Sequence, residues 1–274
     1  MSQCATGGGT APVRKEWSLR PSRMLRTIRA GGVARGFKLN FYDARAVELV
    51  AAAGFDAIWI CNEHVPSDWL ALEHQVRAAK LYDCDTVCRV ARGGYSDYVR
   101  AFEMDAAAVM VPHIMGLDDA RAVVRMTKFL PLGRRPVDGG NADGAYTRVP
   151  LTRYLEESNR ERLVIVQVED PEPLSEIEAI AELPGIDMLF FGPGDFSHAI
   201  GKPGQFDAPE LVAAKRRVAE AARKAGKMAG TVSGPKALRE TVDLGYNFVN
   251  CGADVVGLIA YADGIMDAFD AAGL

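Results

Sequence analysis

Eight short apolar runs recur along this chain, and segments with helical periodicity separate them. The runs predicted to be strands cover residues 35–39, 57–61, 86–90, 107–112, 163–168, 187–191, 228–232 and 248–251. A continuous apolar run indicates a strand buried on both faces, as in a parallel sheet. Eight strands alternating with helices predict an α/β fold, a (β/α)8 TIM barrel formed as a single domain by residues 23–274.

The competing fold is an open, doubly wound sheet. Such sheets usually have fewer strands and a glycine-rich first turn. No GxGxxG follows the first run, and the chain contains no GxxxxGK[ST] phosphate-binding motif. The length of 274 residues also suits one barrel domain, since such domains commonly have about 250 residues.

Two segments interrupt the alternation. Residues 1–22 are predicted to be a flexible lead-in, and their first twelve residues lack the apolar core of a signal peptide. Between residues 131 and 162 the periodicity breaks at GRRPVDGGNADGAYTRVP, which is rich in glycine and proline. A loop this long in a compact domain is more often functional than idle, so we expect it to shape substrate choice.

Composition excludes two classes of partner. The net charge of -4 gives no basic face for nucleic acid, and no apolar run approaches the ~18 residues that a membrane span needs. The five cysteines are odd in number and lack CxxC spacing, which favours free thiols in a reducing compartment. We therefore expect a cytoplasmic protein acting on small molecules.

Polar residues follow the predicted strands. In a (β/α)8 barrel the active site lies where the strands end, so residues from separate segments meet there. The polar residues at these ends are Asn62, Glu63, His64, Arg89, Arg92, His113, Gln167, Glu169, Asp170, Asp195, Ser197 and His198. Among them we expect Gln167 to contact substrate.

Two carboxylates on neighbouring strands, Glu169 and Asp195, could hold a hard divalent cation such as Mg2+ or Mn2+. The alternative is that both are helix N-caps or surface carboxylates. The Gly192-Pro193-Gly194 turn could hold a substrate carboxylate on the amides of Gly194 and Asp195, although it could equally be a plain tight turn.

Two basic side chains are candidates for catalysis. Histidine as a residue type titrates near neutral pH, so His64 suits general acid–base work unless it is structural. Arg89 lies inside an apolar strand, and a buried guanidinium needs a partner. That partner could be a 2-oxo acid or a structural carboxylate, either Glu63 or Glu103.

Five segments in order, GFDAIWICNEHVPSD, CRVARG, DAAAVMVPHI, VIVQVEDPEPL and FFGPGDFSHAIGKPGQ, resemble the HpcH/HpaI aldolase family. These are class II pyruvate aldolases related to the citrate lyase β-subunit group. The resemblance runs from Met24 to Met266. It implies a (β/α)8 barrel assembled as a homo-oligomer, a hexamer, with Mg2+, Mn2+ or Co2+ on Glu169 and Asp195.

The resemblance also implies a reaction and the roles of four residues. His64 falls on the catalytic histidine, and Arg89 on the arginine that contacts the 2-oxo group. The backbone of Gly194 and Asp195 falls where the pyruvate carboxylate is held. The reaction would cleave or form a C–C bond through a pyruvate enolate, as in 4-hydroxy-2-oxo-acid or 2-dehydro-3-deoxy-sugar-acid aldolases, with a small aldehyde as partner.

Three departures from the family pattern put the proton relay in question. Cys61 stands where the family commonly has an Asp that helps to hold metal-bound water. Glu103 stands where the family has an Asp paired with its histidine, and Asp105 stands at a family glycine. We expect Glu103 to keep that catalytic role with a changed reach. The GRRPVDGGNADG loop also differs from the commoner GIRG pattern.

Other functions fit the same residues. The enolate could serve oxaloacetate decarboxylation or a CoA-thioester lyase, although no clear basic groove for CoA phosphates is present. Schiff-base catalysis would need a lysine, and Lys38 is the only good candidate. A non-catalytic binding barrel is the remaining alternative.

Overall fold

The computed structural model describes residues 16–274, and its eight strands form one closed, parallel barrel in chain order. The strands are β1 Ala34–Lys38, β2 Ala57–Cys61, β3 Asp85–Arg89, β4 Ala108–Val111, β5 Leu163–Val168, β6 Met188–Phe191, β7 Met228–Val232 and β8 Phe248–Ala253. Strands β2 to β6 are buried along their whole length, as continuous apolar runs require. The predicted (β/α)8 barrel is confirmed.

Eleven helices surround the strands within the described part of the chain. They are α1 Arg23–Arg29, α2 Ala44–Ala52, α3 Trp69–Lys80, α4 Tyr95–Glu103, α5 Leu117–Thr127, α6 Leu151–Glu161, α7 Ile177–Glu182, α8 Pro193–Ala199, α9 Pro209–Lys224, α10 Leu238–Asp243 and α11 Asp254–Ala271. The expected unbroken loop over 131–162 was wrong, because its last part is α6. That helix is mostly polar and buries only Tyr154 and Ser158, so it lacks the apolar content by which the other helices are recognised.

The barrel interior is filled by large aromatic side chains set against glycines. The rings of Trp59 and Phe190 lie 5.5 Å apart, and those of Phe190 and Phe248 lie 6.1 Å apart. A Cβ at Gly230 would lie 2.6 Å from the Phe190 ring, and one at Gly36 would lie 3.0 Å from the Phe248 ring. Glycine at these two positions therefore lets the aromatic layer close the barrel below its mouth.

The end of the barrel where the strands begin is sealed by residues 16–22 and α1. Leu19 and Ser22 are buried, the Ser22 hydroxyl donates to Asp85 at 2.6 Å, and Arg20 pairs with the same carboxylate at 2.7 Å. Residues 16–22 were expected to belong to the lead-in, but they pack on the barrel; residues 1–15 of that lead-in lie outside the described residues. The mouth where the strands end is thus the open face.

The last helix, α11, differs from the others because all its side chains are at least partly exposed and none is buried. It is also strongly apolar, and Tyr261 is 71% exposed. Its start is fixed, since the Asp254 carboxylate accepts from the amides of Asn40 at 2.9 Å and Phe41 at 2.7 Å. Across residues 16–274, no helix has the length and apolar character to cross a bilayer.

Candidate active site

Three side chains that could ligate a metal ion, here called the metal-ligating cluster, meet at the barrel mouth. His113 follows β4, Glu169 follows β5 and Asp195 follows β6, and one ligand atom from each lies within 4.8 Å of the others. Consecutive parallel strands place their carboxyl ends side by side, which is why residues 82 positions apart converge here. The predicted pair Glu169 and Asp195 is therefore brought together, with a third group beside it.

The carboxylate of Glu169 is 1% exposed and held from two sides. The backbone amide of His113 donates to Oε1 at 2.9 Å, and the Gln167 side chain donates to Oε2. Burial raises the pKa of Glu169 to about 7, although the His113 amide and ring act in the opposite direction. Gly192 is required beside it, because a Cβ there would lie 2.6 Å from Oε2.

His113 occupies an uncommon backbone conformation, with φ of 51°. Its Nδ1 lies 2.8 Å from a carboxylate oxygen of Asp170, which leaves Nε2 3.7 Å from Glu169. Burial lowers the pKa of His113, but the Asp170 hydrogen bond and the Glu169 charge outweigh it and raise the pKa overall. Sequence reasoning did not select His113 as a site residue, although its position directly after a strand was the available signal.

Asp195 is exposed and lies in the first turn of α8. The amides of Gly194 and Asp195 belong to that first turn, where backbone N–H groups have no partner within the helix. Ser197 fastens the turn by donating to the Gly194 carbonyl at 2.7 Å. Both predicted substrate-binding amides therefore border the metal-ligating cluster.

The donor set fits a divalent cation. An imidazole and two carboxylates are ligands that Mg2+, Mn2+ and related ions accept. A buried carboxylate with a raised pKa is unfavourable when ionised, and a bound cation relieves this cost. The Gln167 amide oxygen is also buried without a hydrogen bond among residues 16–274. These observations favour a polar occupant beside Glu169.

Arg89 lies at the end of β3, the strand next to β4, and is 4% exposed. Its Nε lies 2.9 Å from Glu63, its Nη2 donates to the Cys61 sulfur at 3.3 Å, and its Cζ lies 4.8 Å from the Trp59 ring centroid. The ion pair with Glu63, rather than one with Glu103, is the structural partner. The third nitrogen, Nη1, makes no hydrogen bond within the described chain and remains available.

The thiol of Cys61 is buried beneath this arginine. Burial by itself would raise its pKa, but the Arg89 charge and the hydrogen bonds from Arg89 and the His64 amide lower it overall. The Cys61 thiol is therefore more acidic than an ordinary cysteine thiol. A buried thiol is nonetheless a weaker acceptor than a carboxylate.

His64 lies at the same edge and its side chain is 58% exposed. Its Nε2 is 3.5 Å from Glu63, which is too long for a strong hydrogen bond. The imidazole is therefore free to turn toward a molecule in the mouth.

Glu103 is not brought to this mouth. It ends α4, and that helix runs down to the start of β4, so Glu103 lies at the sealed end of the barrel. Burial raises its pKa, and the Arg135 charge opposes this rise. Within one chain Glu103 cannot meet His64. Nearby Asp105 has φ of 74°, which explains why glycine is usual at that position.

The loop before α6 also lies at the sealed end. Its buried anchor is Arg135, whose guanidinium lies 4.6 Å from the Phe129 ring centroid and bonds to Asp143 at 3.0 Å and Tyr154 at 3.1 Å. The loop therefore does not line the mouth of its own chain, and its expected effect on substrate choice stays a prediction.

Comparison with known proteins gives a consistent assignment. A family model described as HpcH/HpaI aldolase/citrate lyase matches residues 39–260. A hydroxypyruvate/pyruvate aldolase of Pseudomonas aeruginosa is 32% identical over 85% of this chain and 87% of its own. A 4-hydroxy-2-oxovalerate aldolase of Rhodococcus jostii is 34% identical over 76% of this chain and 80% of its own.

Solved structures agree with these relatives. A crystal structure of an HpcH/HpaI aldolase/citrate lyase family protein from Burkholderia cenocepacia superimposes with a TM-score of 0.83 at 31% identity, covering 91% of this chain and 99% of that one. An HpcH/HpaI aldolase from Desulfitobacterium hafniense gives a TM-score of 0.84 at 26% identity, covering 89% and 96%. The chain belongs to the HpcH/HpaI aldolase/citrate lyase family.

Proposed function

We propose that this protein is a metal-dependent aldolase that cleaves or forms a C–C bond next to a 2-oxo acid. The observation that carries the proposal is the convergence of His113, Glu169 and Asp195 within 4.8 Å at the barrel mouth. The names of its relatives, which include pyruvate and 4-hydroxy-2-oxo-acid aldolases, support the same reaction class. The substrate class is therefore a 4-hydroxy-2-oxo acid or a 2-dehydro-3-deoxy sugar acid.

The residues divide the work of binding a 2-oxo acid. Glu169, Asp195 and His113 would hold Mg2+, Mn2+ or Co2+. When bound, such an ion supplies positive charge that polarises the 2-oxo group and stabilises a pyruvate enolate. Arg89 offers Nη1 to the same oxygen, and its position is fixed because Glu63 and Cys61 hold its other nitrogens.

The other contacts orient the substrate and move its proton. The Gly194 and Asp195 amides hold the substrate carboxylate, while Gln167 keeps the Glu169 side chain in place and offers its free oxygen to the bound molecule. His64 takes the proton from the hydroxyl at the bond that breaks, since its exposed imidazole follows β2 at the mouth and is free to turn toward the substrate.

The deuterium exchange of pyruvate tests the proposal most directly. In D2O with Mg2+, the protein should exchange the methyl protons of pyruvate, because enolate formation needs no aldehyde. Proton NMR measures the loss of the methyl signal. Exchange should stop with EDTA and return with added Mg2+ or Mn2+. Exchange that persists unchanged through chelation would exclude metal-assisted enolate formation.

A homo-oligomer, a hexamer in the family pattern, is the second part of the proposal. Helix α11 has 18 residues and spans about 27 Å, and its apolar side chains, including Leu258 and Ile265, are exposed. An exposed apolar surface of this size marks an interaction site. A second copy of the chain is the proposed partner, and it could also bring a Glu103 to a neighbouring His64.

The mass in solution tests the oligomer. Light scattering on a sizing column should give a multiple of the chain mass for the wild type, and Leu258→Asp with Ile265→Asp should lower it. The matched control, Leu81→Asp, changes a leucine that is even more exposed, at 75% against 55% for Leu258, but lies at the end of α3. A monomeric wild type would refute this part of the proposal.

A further inference from the structure

One positive charge at the mouth has no role in the mechanism above. Lys38 ends β1, and its inward neighbours along the strand are Ala34, which lies in the barrel core, and Gly36, which faces Phe248. Since side chains alternate across a strand, Lys38 points into the barrel at the level of the mouth. Its Nζ lies 5.1 Å from the Trp59 ring centroid.

The neighbouring acidic groups are already engaged by other donors. Glu63 pairs with Arg89 at 2.9 Å. Asp254 accepts from the amides of Asn40, Phe41 and Val255 at the start of α11. Among residues 16–274, no hydrogen bond or ion pair reaches the Lys38 ammonium. The ammonium lies instead over the indole ring of Trp59.

Other charged groups at the mouth have partners that Lys38 lacks. Glu63 pairs with Arg89, and the carboxylates Glu169 and Asp195 would match the charge of a divalent cation. A half-buried ammonium without an acidic partner is costly unless a ligand supplies one. Burial and the Arg89 charge both lower the pKa of Lys38, because both make the charged ammonium less favourable.

The position of Lys38 relative to the metal-ligating cluster indicates which part of a bound molecule would contact this lysine. Strands β1 and β5 lie on opposite sides of an eight-stranded barrel, so Lys38 faces Glu169 across the mouth. Lys38 and Arg89 lie over the same Trp59 ring. A molecule whose 2-oxo group meets Arg89 and the Glu169 cluster therefore extends its far end toward Lys38.

We infer that Lys38 binds a second anionic group, a carboxylate or a phosphate, at the far end of the substrate. The inference rests on the proposed aldolase function and narrows its substrate to one whose aldehyde fragment carries a negative charge. Lys38 is then a specificity-determining residue. A Schiff-base role is disfavoured by its place, since the 2-oxo carbon lies at Arg89 and the metal-ligating residues.

Paired aldehydes test the inference. Pyruvate addition is measured for 4-oxobutanoate against its neutral methyl ester, and for glyceraldehyde 3-phosphate against glyceraldehyde. The wild type should prefer the anionic member of one pair, and that pair identifies carboxylate or phosphate. Lys38→Met should lower the ratio of the two kcat/KM values about 10- to 100-fold, the effect of losing one hydrogen bond to a charged group.

Two further variants control for folding and for charge in general. Lys38→Arg keeps the charge and should retain most of the preference. Lys224→Met removes an exposed charge at the end of α9, far from the mouth, and should keep the wild-type ratio. A wild-type ratio in Lys38→Met would overturn the inference, as would borohydride trapping of pyruvate on Lys38.

The two proposals fail in different ways. A wild type that exchanges pyruvate methyl protons but prefers neither anionic aldehyde would overturn the role of Lys38 and leave the aldolase proposal intact. A wild type that shows no metal-dependent exchange would overturn both.

Discussion

The two sides of the barrel mouth differ in charge and in how far they follow the family pattern. The acidic side, His113, Glu169 and Asp195, gathers three ligand atoms within 4.8 Å around a buried carboxylate. The basic side, Lys38 and Arg89, places two cations over the Trp59 ring, and Cys61 lies there in place of the usual aspartate. One side is built for a cation and the other for an anion.

This contrast separates chemistry from selectivity. In the proposed mechanism, enolate formation needs only the acidic side and Arg89. The Cys61 departure and the unpaired Lys38 fall together on the other side, where the substrate's far end would lie. Substitutions on the acidic side should therefore stop the reaction, whereas those at Lys38 should redirect it.

The largest effect is expected for Glu169→Gln. The isosteric amide removes one negatively charged ligand of the metal ion. Because a bound cation contributes several kcal/mol to catalysis, turnover should fall more than about 10⁴-fold. Retro-aldol assays, bound-metal analysis and circular dichroism check activity, metal and fold. Glu172→Gln, an exposed carboxylate three residues along, is the matched control. Wild-type turnover in Glu169→Gln would contradict the metal assignment.

His64→Ala should slow C–C cleavage by ~10²–10⁴-fold, because it removes the group that moves the hydroxyl proton. Decarboxylation of oxaloacetate forms the same enolate without that proton transfer, so its rate should fall much less in His64→Ala. Assays of both reactions on one preparation give the comparison. His74→Ala, an exposed histidine on α3, serves as control. Equal losses in the two reactions would remove His64 from the proton transfer.

Gln167→Met should weaken Mn2+ binding by about 10- to 100-fold, the range for groups that orient a metal ligand. The thioether fills similar space but cannot donate to Glu169. Calorimetric titration gives the Kd, and turnover at saturating Mn2+ should recover in part. Gln205→Met, on an exposed turn, should bind Mn2+ as the wild type does. An unchanged Kd in Gln167→Met would mean that the hydrogen bond does not position the carboxylate.

The barrel could be predicted from sequence because its signal is local and repeated. Three predicted strands match the structure to the residue, including AIWIC at Ala57–Cys61. Three helices, α1, α6 and α8, were missed, and the last two were missed for a local reason. Helix α6 has a narrow apolar face centred on Tyr154, and α8 begins within a Gly-Pro-Gly turn that reads as a loop.

The predicted site residues that the structure brings together lie at or just beyond the end of a strand. Arg89 ends β3, Glu169 directly follows β5 and Asp195 lies four residues after β6, and the structure places all three at the mouth. Glu103 was selected because it matches a family motif. It lies at the end of α4, and therefore at the sealed end of its own barrel, away from the mouth. The free charge of Lys38 could not be predicted, since it depends on which carboxylates other donors have taken.

The smallest expected effect is the pH dependence of the preference for an anionic aldehyde, which tests the basic side of the mouth separately from the acidic side. Only protonated Lys38 attracts an anion, and its pKa is lowered by burial and by Arg89, while Cys61, Asp254 and Glu63 act in the opposite direction. The preference for an anionic aldehyde should thus be complete at low pH and decline as pH rises, about 10-fold in all, before an exposed lysine would titrate.

The ratio of kcat/KM for the anionic and neutral aldehydes isolates this titration, because groups that both reactions share cancel. The assays contain Mg2+. Each pH is buffered at constant ionic strength, since salt screening also weakens the attraction between Lys38 and the anionic aldehyde. In Lys38→Arg the decline should disappear, because a guanidinium stays protonated across the range. A decline of equal size and midpoint in Lys38→Arg would assign it to another group, and the basic side would then select by shape rather than charge.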